Sequence, residues 1–294
     1  MMQALQSSVE LIQELFMDGF LALLAVSIAA PFLGVLLVLR QMPVLGLAVP
    51  QLAGCGQAAA FFFVALFTAT DAAHPAEPDA IGQVLGALTA VLLGMLALVS
   101  FNRDPKFLGV HACILFLLAI ALRELFLLGS THQKAVEESI QHGRLLTVDA
   151  AGRNQVLATC AGVVLLTIAL WRRLWIPAFD PAQAQLLGLP PRRSLLITLL
   201  LLGATCALCV PVVGPEVLLT LMLVPAAILR GATPTLAAYP LLAMVAGLVG
   251  SAGAFVLACA EGVDWPPGPA VVVCVLASSG VLALVLAVWR GRRR

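Results

Sequence analysis

The chain has 294 residues, of which 62% are hydrophobic and only 11% charged, with a mean hydropathy of +1.06. A soluble domain of this length carries roughly a quarter charged residues and covers its surface with polar groups, which excludes a water-soluble globule. A formal net charge of +1, a single tyrosine and no basic stretch away from apolar-run ends also exclude a nucleic-acid partner.

A helix needs about 20 apolar residues, at 1.5 Å each, to cross a hydrocarbon layer near 30 Å. Nine runs approach or exceed that length: residues 19–39, 44–69, 82–101, 107–128, 154–171, 194–212, 213–230, 236–258 and 268–289. The expected architecture is therefore all-α, a polytopic bundle of about nine membrane-spanning segments in one domain covering 1–294. The first run lacks a small-residue cleavage pattern and is followed directly by arginine, so it reads as a retained helix and not a signal peptide.

Charge placement supports that number. With nine crossings, Arg40, Arg103, Lys106, Arg172, Arg173, Arg192, Arg193, Arg230 and the Arg290, Arg292, Arg293 and Arg294 tail fall on one face. They share it with only two acids, Asp104 and Asp180, whereas Glu10, Glu14, Asp18, Asp71, Glu77, Asp79, Glu261 and Asp264 fall opposite. The positive-inside rule makes the basic face cytoplasmic, with the N-terminus outside and residues 290–294 a basic cytoplasmic tail.

Residues 1–18 read as an amphipathic helix on the outer surface, with Val9, Leu11, Ile12, Leu15 and Phe16 among acids. The outer loop 129–153 is long enough to hold a short helix around 135–146. In the inner loop 172–193, Asp180 can N-cap a helix with Pro181 at its first position, and Gly188 can end it. Such a capped helix has the shape of a docking element, or is an ordinary capped loop.

No G-x-x-x-x-G-K-[ST] phosphate loop, H-E-x-x-H or G-x-S-x-G motif occurs, so an enzymatic role has no residues to carry it. The seven cysteines lie nearly all inside apolar runs and read as packing residues; this includes Cys206 and Cys209 despite their redox-motif spacing. Polar groups inside the runs are costly in lipid and so invite attention. Gln51 and Gln57 stand in the second run beside Pro50, Gly54 and Gly56, and an interrupted helix at membrane depth can line a cavity. Arg123 and Glu124, near the outer end of the fourth run, can reach the interface or pair with each other. His111 starts that run and reads as a path candidate or as a satisfied structural histidine. Gly247, Gly250, Ser251 and Gly253 offer small-residue packing in the eighth run.

Four stretches, in order, resemble the membrane permease subunit of ABC importers for zinc, manganese and related divalent metals, the ABC-3 type, and more distantly the siderophore and vitamin B12 permeases. They are Leu33 to Met42, ending in Leu39-Arg40-Gln41-Met42; Asp180-Pro181 through Ala184 to Leu187-Gly188-Leu189; Val213-Gly214 through Pro225-Ala226-Ala227 to Arg230; and Pro267-Gly268-Pro269 with Val271-Val272. The resemblance implies a type II importer permease paired as a homodimer or heterodimer. Two cytoplasmic ATPase subunits would drive it, and an extracytoplasmic solute-binding protein would feed it, in a bacterial inner membrane. No cofactor is expected on this chain, ATP being used by the partner subunits. Asp180, Pro181, Ala184, Leu187 and Gly188 would form the coupling element, Pro225, Arg230, Gly268 and Pro269 structural motif positions, and the second and fourth to seventh segments the path.

One departure stands out. The family pattern after the Arg-x-Met turn is G-D-x-x-x-H, a carboxylate and an imidazole on one helix face, a pair suited to a borderline divalent cation. Here Leu47 and Gln51 occupy those positions. Leucine cannot ligate, and an amide oxygen is a poor zinc or manganese ligand. Three readings stay open: a different cargo, a degenerate half of a heterodimer, or metal passing unligated. A non-transporting scaffold on the same fold is the rival of another class.

Overall fold

The computed structural model describes residues 16–68, 79–101, 107–128, 137, 140, 143–233, 235–259 and 265–291. The amphipathic segment expected before residue 16, most of the loop helix expected at 135–146, and Arg292 to Arg294 of the basic tail lie outside the described residues.

Among the described residues there are eleven α-helices and no strand. In chain order they are α1 (Met17–Leu39), α2 (Pro43–Thr68), α3 (Ala80–Phe101), α4 (Leu108–Leu127), α5 (Ala150–Ala169), α6 (Trp171–Phe179), α7 (Pro181–Leu186), α8 (Pro191–Val213), α9 (Pro215–Leu229), α10 (Ala238–Ala258) and α11 (Pro267–Gly291). Eight of them are long and apolar enough to cross a membrane. The run expected to be a full span at 213–230 is shorter than expected. Its helix, α9, has 15 residues, about 22 Å of rise against a hydrocarbon layer near 30 Å. Gly214 causes the difference: it stands at φ 87° and ψ 151°, a backbone region essentially restricted to glycine, between Pro211 and Pro215.

Helix α1 is the centre of the bundle. It is apolar around its whole circumference, which suits a helix enclosed by others, and α5, α9, α10, α2 and α8 pack around it. At one crossing its backbone meets that of α9 directly: a Cβ on Gly34 would stand 1.7 Å from the Met222 carbonyl oxygen. At another, Ser27 donates to the Leu23 carbonyl at 2.8 Å and to Ser251 of α10 at 2.6 Å, both side chains being fully buried. The small residues of α10 divide between neighbours. Gly247 and Ser251 face α1, Gly250 faces Val275 and Ser278 of α11, and Gly253 faces open space. Helices α3, α4, α5 and α11 lie outside and turn exposed leucines, valines and isoleucines outward, as lipid-facing surfaces do.

The two ends of the bundle differ. At one, Asp18 pairs with Arg153 at 2.5 Å, and the buried Leu145 backs onto Gly19. Residues 143–148 form a strap there, with a 3₁₀ turn at Leu145–Thr147, and the Arg144 amide donates to the Val212 carbonyl at 2.9 Å. That bond occupies one of the carbonyls that the end of α8 would otherwise leave without a partner. At the other end, Arg40 donates to Ser194 and to the Leu174 carbonyl, and Arg290 donates to the carbonyls of Gly231 and Thr233. The described arginines 40, 172, 173, 192, 193, 230 and 290 gather at this second, basic end.

Helix α5 starts at Ala150, before the expected 154, because Asp149 accepts the Gly152 amide at 2.9 Å and caps a first turn that is too polar to register in hydropathy. The segment after it, expected as loop, is helical at α6. Leu174, Trp175, Pro177 and Ala178 are buried there, while Arg172 and Arg173 remain exposed. Trp171 and Trp175 stack with centroids 4.2 Å apart, and Phe32 of α1 meets Trp175 edge-on at 5.7 Å.

Candidate transport path and docking element

The polar side chains of α2 do not converge on one point. Gln51 is 7% exposed and faces α4, where its Oε1 accepts from Arg123 Nη1 over 3.4 Å. Arg123 is equally buried and donates through Nη2 to Glu124 at 2.9 Å, so it pairs locally and does not snorkel to the membrane surface. Leu47 stands one turn before Gln51 and Cys55 one turn after it, which puts all three on one face of α2. Leu47 is half-buried and Cys55 buried.

Gln57 lies on another face. It is 2% exposed beside the closest approach of α2 to α3, where a Cβ on Gly56 would stand 2.1 Å from the Gly86 carbonyl oxygen. Its Oε1 is buried without a hydrogen-bond partner among the described residues. His111 is far from this group. It lies at the basic end of α4, twelve residues from Arg123 or about 18 Å along the helix, and its Nδ1 contacts the Phe107 carbonyl at 2.8 Å. Of the expected path residues, then, Gln51 and Leu47 share a face, whereas Gln57 and His111 stand apart. Arg123 is the member that sequence reasoning left out. Among the described residues no three of His, Cys, Asp and Glu are grouped to hold a metal ion.

The expected coupling element is built as a compact capped helix at the basic end. Asp180 accepts the amides of Ala182 and Gln183 at 2.9 and 3.0 Å, with Pro181 at the first helical position. Gly188 takes φ +70° and closes the helix, and the Leu189 amide donates back to the Ala184 carbonyl at 2.8 Å. Ala184 is fully buried against the body of the protein, while Leu186 is 90% exposed and Leu187 and Phe179 are exposed beside it. Three exposed apolar residues at the tip of a polar end form a surface shaped for a protein. A shallow cavity of about 220 Å³ opens alongside, lined by Arg173, Gly188, Pro190, Arg193 and Ser194. At the opposite end a cavity of about 350 Å³ lies between the start of α3, the strap and the end of α8, with Gln83, Arg144, Asp149 and Gln155 in its wall.

The other motif positions lie in and just after α9 and at the start of α11. Pro225 is buried within α9, and Tyr239 of α10 donates to the Ala226 carbonyl next to it. Arg230 is exposed just past α9. Gly268 and Pro269 lie in the first turn of α11, which opens with Pro267 and with the Ala270 amide bonded to the Pro266 carbonyl at 3.2 Å.

The sequence profile of the ABC 3 transport family matches residues 12–288. The manganese transport system membrane protein MntC of Halalkalibacterium halodurans is 26% identical over 207 residues, a stretch that covers 70% of this chain and 65% of that protein, just under two thirds. Among solved structures, PsaBC from Streptococcus pneumoniae in complex with Fab superposes with a TM-score of 0.71, at 18% identity, over 94% of each chain. An inward-facing putative metal-chelate type ABC transporter superposes with a TM-score of 0.67, also at 18% identity, over 96% of this chain and 95% of that one. At this identity the two superpositions establish the shared fold.

Proposed function

The chain belongs to the ABC 3 transport family, and on that premise we propose that it is the membrane-spanning permease subunit of an ATP-driven importer for divalent metal ions such as zinc or manganese. Residues 1–294 act as one permease domain in a bacterial cytoplasmic membrane. The basic end faces the cytoplasm and carries the 290–294 tail; the Asp18 end and the 1–18 segment face outward. This orientation follows from the excess of arginine at one end.

The chain itself does no chemistry and needs no cofactor. ATP is bound and hydrolysed by partner subunits that dock on the 172–193 segment. A second permease, the same chain or a different one, completes the path, and an extracytoplasmic solute-binding protein delivers the cargo to the outward end. The observation that carries this reading is the Asp180 to Gly188 helix. It is rigidly capped at both ends, anchored by Ala184, and turns Leu186 outward at the basic end of a transport-family bundle.

The cargo assignment follows the relative named for manganese transport. Since this chain has Leu47 and Gln51 where the family pattern has carboxylate and imidazole, its own α2 contributes no ligand pair. The test is copurification: the tagged chain, isolated from its own membranes, is expected to bring an ATPase subunit with a phosphate loop down with it. Absence of the ATPase, together with no effect of Leu186→Glu on any ATPase activity, overturns the reading.

A further inference from the structure

We propose that Arg123 is a specificity-determining residue: a fixed guanidinium that bars a bare divalent cation from the Leu47 and Gln51 face of α2. The inference rests on the metal-importer reading and deepens it, assigning to this subunit the role of a half that does not ligate the cargo.

The argument is geometric. A zinc ion held by the side chain at position 51 would sit about 2.1 Å from its ligand atom. Arg123 Nη1 is 3.4 Å from the Gln51 oxygen, so any such ion would come within about 5.5 Å of the guanidinium, the sum of the two distances. Arginine does not give up its proton in a protein, so the guanidinium charge is permanent. Both side chains are more than nine-tenths buried, where water screens little. Glu124 binds Arg123 through Nε and Nη2 and offsets part of that charge, while Nη1 is the group that meets Gln51. The Gln51 amide oxygen thus has a cation already, supplied by the protein. Leu47 on one side has no donor atom, and Cys55 on the other is a buried thiol.

Replacing the two α2 residues alone is therefore insufficient to build a metal site. Leu47→Asp with Gln51→His places a ligand pair on the correct face but leaves the guanidinium beside position 51.

The experiment measures Mn²⁺ binding by calorimetry to the purified full-length chain in detergent. Three proteins share the Leu47→Asp and Gln51→His background and carry Arg123, Arg123→Lys or Arg123→Gln. The expected result is binding at least tenfold tighter with glutamine than with either cationic residue, and none in the unaltered chain. The lysine variant separates charge from side-chain bulk. Adding Glu124→Gln to the glutamine variant is expected to leave the affinity in place; its loss would mean that the freed carboxylate made the site, which overturns the proposal. Equal affinity with and without Arg123, whether tight or absent, overturns it too, as does Mn²⁺ binding by the unaltered chain that Gln51→Ala abolishes. Should the aspartate prevent folding, judged by chromatography and melting, the same comparison is made in Gln51→His alone. Copurification with the ATPase is scored separately on the same proteins, so failure here leaves the importer reading standing.

Discussion

The guanidinium of Arg40, the residue that ends α1, donates to the hydroxyl of Ser194 in the first turn of α8 and to the backbone carbonyl of Leu174 in α6. One side chain thus ties the central helix to the two helices that flank the capped 180–188 element. Burial pushes the Arg40 pKa down to about 10 from 12.5. At neutral pH the group is charged in the folded and the unfolded chain alike, so this shift contributes no pH dependence there. Ser194→Ala removes an acceptor from a half-buried cation and is expected to cost about 1–3 kcal/mol. The loss should be the same at pH 6 and pH 9 when unfolding is followed in detergent.

Close contact between α1 and α9 predicts an asymmetry between two glycines. Gly34→Ala drives a methyl group to within 1.7 Å of the Met222 carbonyl oxygen, and neither backbone has room to withdraw. It is expected to cost about 3 kcal/mol or more. Gly253→Ala meets nothing within 4 Å, and as a helix-interior change it should be neutral or stabilising by up to about 1 kcal/mol. Melting temperatures of the two variants, measured side by side, check this.

The capped element predicts a separation between docking and folding. Leu186 is 90% exposed, so Leu186→Glu should leave the melting temperature of the isolated chain unchanged while abolishing copurification with the ATPase. Asp180→Ala strips two amides of their acceptor and is expected to cost about 1 kcal/mol locally. It should weaken the same copurification, because the helix loses its shape without losing its surface.

The serine pair between α1 and α10 predicts a small coupling. Ser27 and Ser251 hydrogen-bond at 2.6 Å in a fully buried site, but interhelical hydrogen bonds in membranes average only about 0.6 kcal/mol in double-mutant cycles. Alanine replacements made singly and together should show a coupling of that order, read from unfolding free energies.

Most of the helices were legible as apolar runs, because a bilayer leaves the chain few other ways to satisfy its backbone. The exceptions have specific causes. The run at 213–230 was set apart from the one before it, but its helix begins only at Pro215, after Gly214, and ends at Leu229, which leaves it short of a full crossing. The first turn of α5, Ala150 to Arg153, ends in a charge and was hidden from hydropathy, although Asp149 stands before it as a cap. Helix α6 is only nine residues long, with two arginines and a proline in it, and read as loop; Leu174 and Trp175 hold it by packing against the bundle.

At the path, the substitution of Leu47 and Gln51 was plain in the sequence, but the partner of Gln51 was not. Arg123 lies 72 residues away, near a helix end from which a long side chain can equally reach water. Only the packing of α2 against α4 decides that it turns inward. Its immediate neighbour Glu124 was the one signal available, since an adjacent acid offers the charge a reason to stay.

The strap at residues 143–148 has a consequence for the order in which the protein can be made. Its Arg144 amide is bonded to Val212, and Gly143, at φ +74°, lies directly against the backbone of Val213 and Gly214. Those partners are synthesised some seventy residues later, so while the first five membrane helices are being inserted the strap can lean on Gly19 of α1 through Leu145 but lacks its other seat. A chain arrested before α8 holds a strap fixed on one side alone, and the second side closes only when the Pro211 to Pro215 corner arrives.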